Sequence, residues 1–180
     1  AASIVLLISF AIRASFGVFQ IPIANDLGWF RTEFSLAIAI QNLSWGIATP
    51  FFGAFAEKLG DRKAILIGVL VYSVGLALSS MASTAASHQL LEILVGVGIA
   101  GTGFGVILGV VGRAASDKTR SLALGITTAA GSAGQIVGPP LTQHLLNSMT
   151  WQNVFLVYSG LILLALLSLP FLKAPAKVSK

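Results

Sequence analysis

Residues 53–63 read Gly53-Ala54-Phe55-Ala56-Glu57-Lys58-Leu59-Gly60-Asp61-Arg62-Lys63, with five charges in the last seven positions around a single glycine. An apolar run lies on each side, 34–56 before and 64–83 after. A spanning helix needs ~20 apolar residues, so a short charged stop between two such runs reads as the turn joining consecutive membrane helices. Working outward, the same alternation gives apolar blocks at 2–24, 34–56, 64–83, 90–112, 122–146 and 154–172. The expectation is an all-α integral membrane protein whose residues 1–180 form one six-helix bundle, with almost nothing left for a soluble domain.

Composition agrees. The 180 residues are 56% hydrophobic and 9% charged with mean hydropathy +0.90, against roughly 25% charged residues in soluble domains. A net charge of +5 raises the question of nucleic acid, but the basic residues form no patch or stripe. Lys58, Arg62 and Lys63 lie between spans two and three, Arg113, Lys118 and Arg120 between four and five, and Lys173, Lys177 and Lys180 in the tail. Only Arg31 lies in the opposite set of loops. The positive-inside rule therefore puts both termini in the cytoplasm. With no cysteine there is neither disulfide nor thiolate metal site. The first residue is not Met and no cleavage signature follows the first span, so that span reads as a retained helix and the start as trimmed.

Two three-helix units are suggested by Ser35-Leu-Ala-Ile-Ala39 opening span two and Ser121-Leu-Ala-Leu-Gly125 opening span five. Each of these spans also carries proline after glycine: Gly46 and Pro50, then Gly134, Gly138, Pro139 and Pro140. Three spans followed by three similar ones must insert with opposite orientation, the inverted repeat of many secondary transporters. Span four holds seven glycines, and Gly101, Gly105 and Gly109 have the Gly-x-x-x-Gly spacing that lets membrane helices approach closely. Static packing and a sliding surface both fit that spacing.

Arg13 is the most telling single residue. It stands mid-span, about 16 Å from either end at 1.5 Å per residue, too far to snorkel. An arginine there costs at least ~2.5 kcal/mol even on insertion scales, so it should face the bundle interior or a watery cavity, with Ser15, Gly17 and Gln20 on a compatible face. It either binds an anion or pairs with Glu92, the only intramembrane carboxylate. Glu92 itself reads as a solvated helix end or a proton carrier. Gln41, Asn42 and Trp45 cluster early in span two, where they either line the cavity of Arg13 or make helix–helix hydrogen bonds. His88 falls in a loop, and His144 near the end of span five. Trp29 and Trp151 sit where interfacial aromatic belts occur.

Nothing indicates an enzyme. There is no catalytic constellation, metal-ligand spacing, phosphate-binding loop or cofactor motif. Gly96-Val-Gly98-Ile-Ala-Gly101 matches Gly-x-Gly-x-x-Gly by chance, since no strand precedes it.

The segment 53–63 resembles the cytoplasmic signature of the major facilitator superfamily, Gly-x-x-x-Asp-Arg-x-Gly-Arg-Arg/Lys, with Glu57, Lys58 and Asp61 as departures. Gly131 to Pro140 is similar to that superfamily's Gly/Pro-rich fifth helix, and Trp151-Gln-Asn-Val-Phe155 to its entry into helix six. Its fourth-helix motif matches at Gly96 and Gly98 but has Glu92 where arginine is usual. Arg13-Ala-Ser-Phe-Gly-Val-Phe19, Gln41-Asn-Leu-Ser-Trp45-Gly46 and Pro50 resemble bacterial relatives of monocarboxylate transporters. The resemblance implies twelve helices in two halves, of which this chain matches the first.

What it implies is a secondary transporter of small organic anions, proton-coupled, in a bacterial inner membrane. Arg13, Gln20, Gln41, Asn42 and Trp45 would contact substrate. Gly53, Glu57, Lys58, Gly60, Asp61 and Arg62 would gate. Gly101, Gly105, Gly134, Gly138 and Pro139 would pack helices. The carboxy-terminal half would be missing from this chain, or supplied by another copy. Its partners would be membrane lipid, the anion, protons and that second half, with no cofactor, metal or nucleic acid. The alternative is a non-transporting membrane subunit that uses the same fold to bind partner helices.

Overall fold

The computed structural model describes residues 1–172, so the tail lysines 173, 177 and 180 lie outside the described residues. The described residues form helices and turns, with no strand. The helices are α1 (Ala2–Ser15), α2 (Gln20–Leu27), α3 (Arg31–Leu59), α4 (Asp61–Ser79), α5 (Ala85–Thr102), α6 (Phe104–Ala114), α7 (Arg120–Leu146) and α8 (Trp151–Leu164). Short 3-10 turns follow α1 at Phe16–Phe19 and α8 at Ala165–Phe171.

The six apolar blocks become six rods, because two of them are interrupted helices. In the first rod Pro22 supplies no N–H to the preceding turn and crowds its carbonyl, and the backbone tightens into the 3-10 turn between α1 and α2. In the fourth rod Gly103 is extended and separates α5 from α6. Four rods are long and apolar enough to cross a membrane: Ala2–Leu27, Asp61–Ser79, Ala85–Ala114 and Trp151–Phe171. α3 and α7 are longer still, at 29 and 27 residues, but are diluted by Gln41, Asn42 and the charged ends of the one, and by the Gly, Thr and Gln positions of the other.

The rods outrun the apolar blocks at most ends, because a helix needs caps rather than apolar residues to begin and stop. Thr84 accepts from the Ser87 N–H at 3.2 Å and starts α5 five residues before the apolar run at 90. Gly28, in the left-handed region at φ 69°, closes α2 by donating to the Ala24 carbonyl. The expected charged loop between spans two and three is a single residue. Gly60 at φ 102° turns α3 directly into α4, a backbone conformation open to glycine and strained for other residues.

Packing follows the small residues. α1 lies along α7, α3 along α5, and α4 rests against both α5 and α8. A Cβ on Gly138 would stand 2.1 Å from the Ala11 carbonyl oxygen, and one on Gly134 2.2 Å from that of Leu7. On the other pair, a Cβ on Gly96 would stand 2.3 Å from the Gln41 carbonyl oxygen. Gly101 abuts Gly68 of α4 and Phe52 of α3, whereas Gly105 meets Thr49 of α3. The break at Gly103 puts Gly101 and Gly105 on different helices, so their spacing does not form one continuous stripe. Pro139 lies within α7, where the missing N–H frees the Gln135 carbonyl.

Hydroxyl pairs bind the rods across their buried faces: Ser9 with Thr102 at 2.8 Å, Ser73 with Ser159 at 2.8 Å, and Thr142 with Tyr158. The outer faces remain apolar, with Leu43, Ile47, Phe51, Leu122, Ile136 and Leu167 all exposed.

Candidate functional site

Three rods converge on Arg13. Its Nη2 donates to Asn42 Oδ1 at 2.9 Å, and Asn42 is oriented by donating its own Nδ2–H to the Ile38 carbonyl one turn back. The guanidinium lies over the Trp45 ring, 4.6 Å from its centroid, and 5.7 Å from that of Phe10. Phe10 is held edge-on by Trp45 and by Phe104 of α6. Such a cation–π cradle stabilises the charge by about 0.5–2 kcal/mol and fixes the plane of the fork. Arg13 Nε is buried without a partner, and the side chain as a whole is half-buried. A guanidinium has five N–H donors. Here a single hydrogen bond from it is formed among the described residues, and no carboxylate approaches within ion-pair distance.

The alternative for Arg13, a pair with Glu92, does not occur. Glu92 is fully buried between α5 and α3, where Gln41 Nε2 donates to Oε2 at 2.6 Å and His88 Nε2 stands 3.5 Å from Oε1. The solvated helix end expected for Glu92 is therefore corrected, as is the loop expected for His88. Because α5 begins at Ala85, Glu92 is two turns inside it and His88 is in its first turn, 1% exposed. Trp29 packs on His88 at 5.5 Å between centroids, and Trp151 is buried with its indole N–H donating to Asp26 Oδ2 at 2.8 Å. Trp151 is thus buried, whereas Trp29 is partly buried against the core.

The five substrate-contact candidates separate accordingly. Asn42 and Trp45 surround Arg13. Gln41 points to Glu92 instead, since adjacent residues of a helix diverge by about 100°. Gln20 opens α2 seven residues beyond Arg13, part-buried and without a described side-chain hydrogen bond. Phe10 and Phe104 were not singled out from the sequence. Their signal was the aromatic residue three before Arg13, a helical neighbour on the same face.

The gating candidates also divide. Asp61 is buried and forms an ion pair with Arg113 at the end of α6, where a cation also complements the helix dipole. Arg62 donates from Nε to the Leu172 carbonyl at 3.0 Å and from Nη2 to that of Pro170 at 3.2 Å, tying the start of α4 to the end of the sixth rod. Glu57 and Lys58 are exposed and make no side-chain bond among the described residues. Gly53 has open space around it. A cavity of about 460 Å³ opens near the chain start, lined by Ser3, Val110, Ala114, Thr119 and Thr127. Arg13 does not line it.

The sequence is 32% identical over 163 residues to monocarboxylate transporter 13 of Rattus norvegicus, covering 86% of this chain and 36% of that one. It is 28% identical over 150 residues to a probable L-galactonate transporter of Escherichia coli, covering 83% and 33%. Against the methyl viologen resistance protein SmvA of Salmonella typhimurium it is 25% identical over 142 residues, covering 79% and 27%. The chain spans about a third of the length of these relatives. Residues 2–180 match the Major Facilitator Superfamily, a family of transporters rather than enzymes. With six helical rods joined by short turns and a match over nearly its whole length, the chain belongs to the Major Facilitator Superfamily.

Proposed function

We propose that this chain is the first six-helix half of a secondary transporter that moves a small organic anion, a monocarboxylate or a close relative, by alternating access and coupled to protons. The observation that carries the reading is Arg13: a mid-membrane guanidinium, oriented by Asn42 and Trp45, with its remaining donors unused among the described residues. A guanidinium fork matches a carboxylate bidentately, and charge-assisted bonds of this kind are roughly twice as strong as neutral ones. The transporter of monocarboxylates and that of galactonate named above carry substrates of this charge by name. Gln20, seven residues along the same rod, is the next polar group an anion would meet.

On this reading all six rods cross the membrane, as one bundle, with both termini in the cytoplasm of a bacterial inner membrane. The inverted repeat is supported by one matched pair of helix contacts. Exchanging rod one with four, two with five and three with six turns the α1–α7 contact into the α5–α3 contact, the two most extensive in the molecule. The same exchange matches the two interrupted rods to each other, and broken helices at paired positions are a mark of repeat-built transporters. The exposed apolar residues of the outer faces suit lipid and a second six-helix half.

Radiolabelled uptake of a panel of carboxylates into vesicles, with and without a pH gradient, tests the reading in the intact protein. Uptake that depends on the gradient and is abolished by Arg13→Gln, in protein that still inserts, is the expected result. Normal transport by Arg13→Gln overturns the anion site. Absence of uptake for every carboxylate, with the protein folded, favours the subunit that binds partner helices.

A further inference from the structure

Gln41, the residue before the Asn42 that holds Arg13, holds a carboxyl group that the anion site does not use. Glu92 has no exposed surface, and its Oε1 carries no hydrogen bond. Neither ring nitrogen of His88 has a hydrogen-bond partner, although Nε2 stands 3.5 Å from that same Oε1. Three unpartnered polar atoms within one turn of a helix are a costly arrangement, since each buried donor or acceptor left unpaired costs about 1–3 kcal/mol. A single proton between the two side chains reduces the deficit of both.

We propose that Glu92 and His88 are the proton-binding site of this protein, with one exchangeable proton held between Glu92 Oε1 and His88 Nε2 while the Gln41 amide holds Oε2. Binding adds a proton to a lone pair and breaks no bond to carbon, nitrogen or oxygen, and release returns it to water. The groups that face the pair are few. Gln41 comes from α3, and Tyr72 from α4, its hydroxyl bonded to the Ser9 carbonyl and within electrostatic reach of Glu92 and Arg13 alike. The rings of Trp29, Phe34 and Phe155 enclose His88. No lysine or arginine lies within ion-pair distance of Glu92 among the described residues. His88 stands one turn nearer the start of α5, about 6 Å along the axis.

The use of the site rests on the transport reading, and α3 supplies the link. Gln41 reads the state of Glu92, and Asn42, the next residue, holds Arg13. The α3 backbone lies close against α5 at this point, with no room for a methyl group between Gly96 and the Gln41 carbonyl. A proton at one site and an anion at the other therefore act on adjacent peptide units.

Infrared difference spectroscopy of the intact protein in lipid, between about pH 5 and pH 9, tests the site without any substrate. The expected result is a protonated-carboxyl C=O band that changes with pH, vanishes in Glu92→Gln and moves its midpoint in His88→Gln. Gln41→Leu removes the donor to Oε2, so the C=O frequency should rise. A band that survives Glu92→Gln overturns the proposal. Should that variant not fold, a midpoint unmoved by His88→Gln and a frequency unmoved by Gln41→Leu overturn it equally. The readout needs no transport, so a protein that binds this proton yet takes up no carboxylate defeats the transport reading and leaves the proton site standing.

Discussion

The α1–α7 and α3–α5 contacts are built alike and handle charge in opposite ways. In each, glycines of one helix sit on carbonyl oxygens of the other with no room for a methyl group: Gly134 and Gly138 on Leu7 and Ala11, Gly96 on Gln41. Beside the first contact Arg13 leans out, half-buried, with donors to spare. Inside the second contact Glu92 is sealed and held by an amide. Two opposite charges on neighbouring rods would be expected to pair, since a lone charge in the membrane is expensive. Here each takes an amide of α3 instead, Arg13 bonding to Asn42 and Glu92 accepting from Gln41, the residue before it. On the proposed reading, that leaves the arginine's remaining donors for a ligand while an amide holds the carboxylate.

The largest expected effect tests the shared architecture. Gly138→Val drives side-chain carbon into the Ala11 carbonyl, and overpacking against backbone should cost about 3 kcal/mol or more, read as loss of folded protein in a detergent melting curve. Gly160 has nothing within 4 Å of a built Cβ, so Gly160→Ala should melt at or above the parent. Equal melting of both variants would mean that close approach does not hold these helices.

A smaller effect is expected on the open side of the comparison. Arg13→Lys keeps the charge and loses the planar fork, together with its stacking on Trp45. Apparent affinity for the anion should weaken about tenfold, equivalent to ~1.4 kcal/mol, with transport retained. An unchanged affinity would make Arg13 a simple point charge. Asn42→Ala removes the acceptor that orients the fork, and the loss of about 1 kcal/mol should weaken affinity about fivefold. If Asn42→Ala instead moves the infrared band assigned to Glu92 as strongly as Gln41→Leu does, α3 does not separate the two sites.

The smallest effects are expected at the charged turn. Asp61→Asn breaks the buried pair with Arg113 and should shift cysteine-labelling accessibility between the two membrane faces. Glu57→Gln changes an exposed side chain with no described partner, so stability should move by less than about 0.5 kcal/mol, with labelling unchanged. The reverse order of sensitivity would place the latch at Glu57.

Composition, the spacing of charges and the apolar blocks determined a helical membrane protein, because burial in hydrocarbon demands long apolar segments and leaves the pattern written locally. The match of 53–63 and of the Gly/Pro-rich run at 131–140 carried the family. Arg13 stood out for the same reason: a charge in the middle of an apolar run is visible without any neighbour. Its partners were not visible. Gln41, Asn42 and Trp45 read as one cluster along the sequence, and only the rotation of α3 between two other rods decided that Asn42 and Trp45 meet Arg13 while Gln41 meets Glu92. Likewise Glu92 read as a solvated helix end or a proton carrier, at the start of the apolar block 90–112, and His88 as a loop residue before it. The early start of α5 under the Thr84 cap and the closure of Trp29, Phe34 and Phe155 over it made them buried. Hydropathy reports what a residue is worth in lipid, whereas burial and hydrogen-bond partners depend on which helix face packs against which neighbour, and that is set by contacts far apart in the chain.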